Sequence, residues 1–193
     1  MISPNNPAGR LYVILKQFRD NTPTPGDRNL PWLAQFFKIQ TNETDSQASE
    51  VIHRLIELQK LVDETIQAIT NIDLPDPEPY LRPFPQIKKS LNYLLMNLQG
   101  LWAAYHKEIM KIDLGALEFC STKLMEYPTE KPIQQADLDA ILDDVQVLFD
   151  DVNKEGMPPD LREFILDSLE AIRRAIAEYR IRGVERLREA IGT

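Results

Sequence analysis

Residues 86–112 constrain the fold most. Leu91, Leu94, Leu95, Leu98, Leu101, Trp102, Tyr105 and Ile109 recur there at three- and four-residue steps, the spacing that lines one face of an α-helix with apolar side chains. From Tyr80 to His106 there is no Asp or Glu, in a chain that carries 30 of them. A helix kept free of carboxylates in an acidic chain belongs inside the fold, so this stretch reads as one long central core helix. At 193 residues the chain has the length for one well-buried core, which points to a single domain over residues 1–193. Only 7 glycines are available for tight turns, and no run alternates apolar and polar residues long enough to make a strand. The expected fold is all-α, a single compact bundle of six to eight helices around the helix at about 86–112.

The other elements follow from periodicity and punctuation. Residues 9–19, with Leu11, Val13, Ile14, Leu15 and Phe18, form a short helix that stops before Pro23 and Pro25. A second short helix spans residues 30–39 and carries Trp32, Leu33, Phe36 and Phe37. Residues 33–39 loosely resemble the first half of a helix-turn-helix, but Lys38 stands where that turn wants glycine. Thr44 and Gln47 fit a capping box at the start of a helix that runs to about Ile69. Residues 74–85 then hold five prolines without any Pro-x-x-Pro spacing, which makes a stiff connector between an N-terminal and a C-terminal half. Residues 113–127 form a helix with Leu117, Cys120 and Leu124 inward. Residues 134–155 form the next, with Leu138, Ile141, Leu142, Val145, Leu148, Phe149 and Val152 as its buried stripe and Gly156 as a left-handed cap. Asp160 and Glu163 suggest a capping box for the last long helix, whose Leu161, Ile165, Leu169, Ile172, Ile176 and Tyr179 share a face. Beyond Arg180, Val184, Leu187 and Ile191 turn to another face, so the helix bends or restarts at Gly183.

Charge narrows the function classes. The formal net charge is −8, and a protein that binds nucleic acid directly needs a cationic surface to displace counterions. Residues 113–170 carry 15 Asp and Glu against 4 Lys and Arg, whereas after Arg162 every positively charged side chain is an arginine towards the C-terminal end. The N-terminus lacks a basic and apolar leader and no apolar run is long enough for a membrane span, while a single cysteine suits a reducing compartment, so the expectation is a cytoplasmic protein away from the membrane.

Motifs for chemistry are sparse. Glu50 and His53 have the Glu-x-x-His spacing of di-iron bundles, but His106 has Ala103 at the matching position, so the pair reads with Glu57 and Glu64 as a solvated helix edge and no metal is expected. Cys120 paired with His106 could act as nucleophile and base, yet its position between Leu117 and Leu124 favours a core cysteine. Phosphate-binding and nucleophile-elbow glycine motifs are absent, and no cofactor is expected. Asp137, Asp144 and Asp151 recur every seven residues, as do Asp143 and Asp150, giving two acidic columns outside the apolar stripe.

In its C-terminal half, through residues 117–120 (LEFC), 161–165 (LREFI) and 179–190 (YRIRGVERLREA), the chain resembles a group of bacterial proteins of similar length with no known activity. The resemblance implies a prokaryotic cytoplasmic origin and an all-helical fold. The functional expectation is a non-enzymatic regulator or accessory subunit that binds a protein, for instance in a bacterial stress or phage-defence system. Its expected contact residues are Arg173, Arg174, Arg180, Arg182, Arg186, Arg188, Val184 and Leu187, set against Asp137, Asp144 and Asp151 of a second copy in a homodimer, or against another acidic protein. Two alternatives remain at this point, an enzyme or toxin using acids with His53 or His106, and an acidic mimic of nucleic acid.

Overall fold

The structure, a computed structural model, describes residue 2 and residues 4–39, 44–128, 130–154 and 156–192. It is all-α. Ten helical segments occur among the described residues, and the only β-type pairing is one isolated bridge between Arg28 and Leu101. The chain divides into two compact units, Met1–Thr129 and Glu130–Thr193. No helix among the described residues is long and apolar enough to cross a membrane.

The first unit holds α1 (Pro7–Asp20), α2 (Asn29–Phe36), α3 (Thr44–Thr70), α4 (Glu78–Leu81), α5 (Phe84–Met96), α6 (Trp102–Ile109) and α7 (Leu114–Leu124). Its middle is α1, which packs against α3, α6 and α7. The start of α1 is set by Asn6, whose Oδ1 accepts from the Gly9 amide at 2.8 Å while its Nδ2 donates to the Ser121 carbonyl of α7 at 3.1 Å. One side chain thus caps α1 and ties it to α7, and Pro7 in the first turn loses no helical hydrogen bond there. Leu11, Ile14, Leu15 and Phe18 of α1 are buried against Leu55, Leu58, Leu61 and Val62 of α3 and Leu117 of α7 in the same core.

The helix expected over residues 86–112 is broken. It is α5 and α6 with a non-helical joint at 97–101, and the reason lies in residues 27–30. The Asn29 and Leu30 amides donate to the Gly100 and Leu98 carbonyls, both at 2.9 Å, and the Trp102 amide donates to the Asp27 carbonyl at 2.8 Å. Side chains complete the joint, with Asn29 Nδ2 on the Asn97 carbonyl and an Arg28 guanidinium nitrogen on the Gln99 carbonyl, both at 2.7 Å. Carbonyls that a continuing helix would bond internally are spent on the segment before α2. Leu101, expected in the core, is 50% exposed at this joint, whereas Leu91, Leu94, Trp102, Tyr105 and Ile109 are buried as expected.

Other differences are local. The five prolines of residues 74–85 lie within the first unit, where they form the single turn α4 against α7 and the entry of α5. Lys38 has a positive φ of 56°. It closes α2 with the Ile39 amide on the Ala34 carbonyl at 2.9 Å, the glycine position of a Schellman cap filled by a lysine. Glu57 is not on a solvated edge but buried, its carboxylate 2.7 Å from Lys60 Nζ. The expected capping box at Thr44 adjoins residues 40–43, which lie outside the described residues.

The second unit is an antiparallel pair, α8 (Gln135–Lys154) and α9 (Pro159–Arg182), followed by α10 (Val184–Ala190) packed on α9. Gly183 breaks α9 from α10 with φ 66° and ψ −154°, a region open to glycine, as the change of apolar face there implies. α8 is described as far as Lys154, and the cap expected at Gly156 adjoins Glu155, which lies outside the described residues. Asp160 makes no capping bond, because α9 starts one residue earlier, on Pro159.

The joint at residues 97–101 yields a stability test. A Cβ on Gly100 would sit 2.9 Å from the Asn97 carbonyl oxygen and 3.3 Å from Asn29 Nδ2, both already committed to hydrogen bonds. Gly100→Ala is therefore expected to lose about 1–3 kcal/mol, the range for forced overpacking, in urea denaturation followed by circular dichroism. An unchanged midpoint would show that the joint is not close-packed.

Candidate functional site

The residues singled out in the sequence fall mainly in the second unit, and the structure treats its two charge sets differently. Most of the arginines are taken up within α9 and α10. Arg173 forks onto Glu170 at 2.8 and 3.0 Å, and Arg174 lies 4.0 Å from the same carboxylate. Arg182 reaches Glu189 at 3.6 Å and Arg188 reaches Glu185 at 3.5 Å. Arg186 joins two helices, with Nε 2.9 Å from Glu178 Oε2 on α9 and a terminal nitrogen 3.0 Å from Glu189 Oε2 on α10. Glu178 is fully buried, so Arg186 supplies the cation that a buried carboxylate requires. Arg180 is exposed on α9, Leu187 is half-buried on α10, and the Val184 amide donates to Glu130 Oε2 at 3.1 Å.

The acidic set is spent less. Asp151 lies 3.5 Å from Lys154, but Asp137 and Asp144 are exposed and form no ion pair among the described residues. The seven-residue repeat places this column beside Ile141 and Leu148 on α8, with Asp143 and Asp150 on the opposite side of the helix.

The apolar stripe of α8 is where the structure corrects the sequence reading most. Only Leu138, Val145 and Val152 are buried, one residue per two turns. Ile141 and Leu148 are 42% and 50% exposed on one flank of that seam, and on the other Leu142 is 38% exposed and Phe149 half-buried. Two packed helices bury only the line along which they touch, so a stripe three columns wide, 138/145/152 flanked by 141/148 and 142/149, cannot close against one neighbour. The two flanks of the pair differ. On one, Arg162 of α9 donates to Asn153 Oδ1 at 2.8 Å, and Gln146, Phe149, Asp150 and Asn153 share a shallow groove with Glu170 and Arg173. On the other, the helical spacing of α9 sets Leu161, Ile165 and Ile172 beside Ile141 and Leu148 of α8, with Phe164 at the rim. Leu161 is 48% exposed and Phe164 69%. One flank is polar and internally bonded, the other apolar and open, with Asp137, Asp144 and Asp151 along its α8 edge.

In the first unit, the candidate catalytic residues are held by structural bonds. His106 Nε2 lies 2.7 Å from the Arg19 carbonyl, pinning α6 to α1. His53 is half-buried on α3, one turn from the Glu50 and Arg54 pair at 3.8 Å. Cys120 is buried, its thiol donating to the Tyr80 carbonyl at 3.3 Å, and burial pushes its pKa up to about 12. The Tyr105 hydroxyl is also enclosed, and desolvation raises its pKa well above the ordinary range. Among the described residues no group of three or more His, Cys, Asp or Glu side chains is placed to hold a metal ion. Sequence periodicity missed the bridge from Glu178 to Arg186, because the two residues are eight apart across a glycine break and share no helical face.

Two outcomes check this geometry. A thiol with its pKa near 12 is almost wholly protonated from pH 7 to 9, so alkylation of Cys120 in the folded chain should be slow throughout and still climb about tenfold per pH unit, whereas the urea-unfolded chain, with a thiol near the ordinary value of about 8.5, should label far faster and begin to level off towards pH 9. Arg186→Ala should release α10, read as loss of amide-exchange protection over residues 184–190 at a cost of about 1–3 kcal/mol for a stranded buried acceptor. No protein-family model matches the chain, and no curated protein or solved structure shows significant similarity to it.

Proposed function

We propose that this chain works by binding another protein through the second unit, as a regulator or accessory subunit and without chemistry of its own. The observation that carries the reading is the open apolar flank of α8 and α9, formed by Ile141, Leu148, Leu161 and Phe164. Single exposed apolar residues are ordinary on any protein surface, and the first unit has its share in Met96 and Phe119. A contiguous row contributed by both helices of a pair, next to a buried seam of small width, is a different matter. Apolar surface kept in water costs about 25 cal/mol per Å2, and grouped apolar residues rimmed by charge mark contact surfaces.

The two-helix arrangement also explains why binding and folding are coupled here. A partner laid on this flank would complete a core that α8 and α9 leave half-built, so its affinity and the stability of the unit rise together. The test is a pair of polar substitutions, Ile141→Gln with Leu148→Gln, at positions that the seam does not use. The full chain carrying them is expected to keep its helical content and to lose partners that the unchanged chain co-purifies from its native cells. Identical captured sets and identical cellular effects would overturn the reading.

A further inference from the structure

We infer that the occupant of this flank is an amphipathic helix of another protein that carries a column of Lys or Arg beside its apolar stripe. The inference rests on the proposed reading of the flank as a contact surface and goes on to assign the chemistry of what it contacts. Asp137 and Asp144 border Ile141 and Leu148, are exposed, and form no ion pair among the described residues. Arg173, Arg174, Arg182, Arg186 and Arg188 of α9 and α10 are bonded to Glu170, Glu178, Glu185 and Glu189, and Lys154 is taken by Asp151 at the end of the column. At Asp137 and Asp144 the apolar row therefore has a negative edge without an ion-pair partner among the described residues.

That edge also argues against a second copy as the occupant. If two copies met by α8 on α8, the Asp137 and Asp144 columns would face each other, and like charges across an interface act against association. If α8 of one copy lay on α9 of the next, the column would meet the edge marked by Phe164, Ser168 and Ala171, where the cation in line with them, Arg182 at the far end of α9, is bonded to Glu189. A foreign helix with basic residues at seven-residue steps meets both demands at once. From Asp137 to Asp151 the column runs about 21 Å at 1.5 Å rise per residue, so the matching segment needs about four turns. Its apolar residues at i, i+3, i+4 and i+7 would lie against Ile141, Leu148, Leu161, Ile165 and Ile172, the groove mode of helix recognition.

The two acidic columns of α8 give the experiment an internal control. A labelled 18-residue helical peptide with leucines at that spacing and lysines at seven-residue steps is titrated with the full-length chain by fluorescence anisotropy. A companion peptide carries glutamate in place of each lysine. Asp137→Asn with Asp144→Asn removes two charges on the apolar flank, and Asp143→Asn with Asp150→Asn removes two on the other side, so both double variants share one net charge. The expected results are binding of the lysine peptide only, a loss of about tenfold in affinity for the first double variant, and none for the second. A tenfold loss is what two surface ion pairs of ordinary strength supply, and it should shrink as salt is raised. Equal weakening by both double variants would overturn the inference, because attraction would then be diffuse. So would equal binding of the glutamate peptide, or a homodimer in light scattering that Ile141→Gln with Leu148→Gln dissociates. Capture of native partners that depends on Ile141 and Leu148 but not on Asp137 and Asp144 would overturn this inference alone and leave the contact surface standing.

Discussion

The first unit depends on one exchange of backbone hydrogen bonds, in which residues 27–30 take the carbonyls at 98–100 and residue 102 bonds back to Asp27. This exchange stops α5, starts α6, and fixes where α2 begins, since Asn29 is both the donor to Gly100 and the first residue of that helix. Asn29 is fully buried and its amide nitrogen reaches the Asn97 carbonyl at 2.7 Å on the inner side of the joint, while the Arg28 bond to the Gln99 carbonyl closes its exposed side. Around it the aromatic side chains gather. Phe18 of α1 stands edge-on to Trp32 at 5.2 Å, Phe36 at 4.8 Å and Trp102 at 6.0 Å, and the two indoles stack at 3.6 Å. Edge-to-face contacts of this kind specify orientation as well as area, which sets the angle of α2 against α1 and α6.

The second unit is built on a different principle. The apolar residues buried between its two long helices form a single line, Leu138, Val145 and Val152 of α8 with Leu169 and Ile176 of α9, and Ala175 and Ile181 of α9 are buried off that line. What holds the rest is polar. Tyr179 accepts from the Ile133 amide at 2.8 Å, Glu130 accepts from Val184, and Glu178 with Arg186 clasps α10 to α9. A unit secured by a narrow seam and a few bonds at one end has little apolar burial to spare, and that shortage is the physical reason for reading its open flank as a contact surface.

Much of the architecture was legible in the sequence. Periodicity at three and four residues located α1, α3, α7, α8 and α9, and Gly183 marked the break before α10. The failures share a cause. Residues 86–112 carry a continuous apolar face, and periodicity cannot register that segment 27–30, some 70 residues upstream, will claim the carbonyls in the middle. Asn97 and Gly100 were the available signals, both poor helix formers, hidden among leucines. The stripe of α8 failed in the opposite direction: the pattern correctly found apolar residues on one broad face, but it does not say how many neighbouring helices there are to cover it. The arginines after Arg162 suggested a docking surface by composition alone, and their carboxylate partners were invisible because most of those pairs depend on side-chain geometry within a turn or across the glycine break.

The stacking of Trp32 on Trp102 has an optical consequence. Both indoles of the chain lie in the first unit, at the joint, and the second unit has none. Intrinsic emission excited at the indole band therefore monitors only the aromatic cluster, while backbone ellipticity monitors α8 and α9 as well. If the two units open independently, the two signals will trace separate transitions, and the interval between them measures how far the half-built pair stands below the first unit in stability.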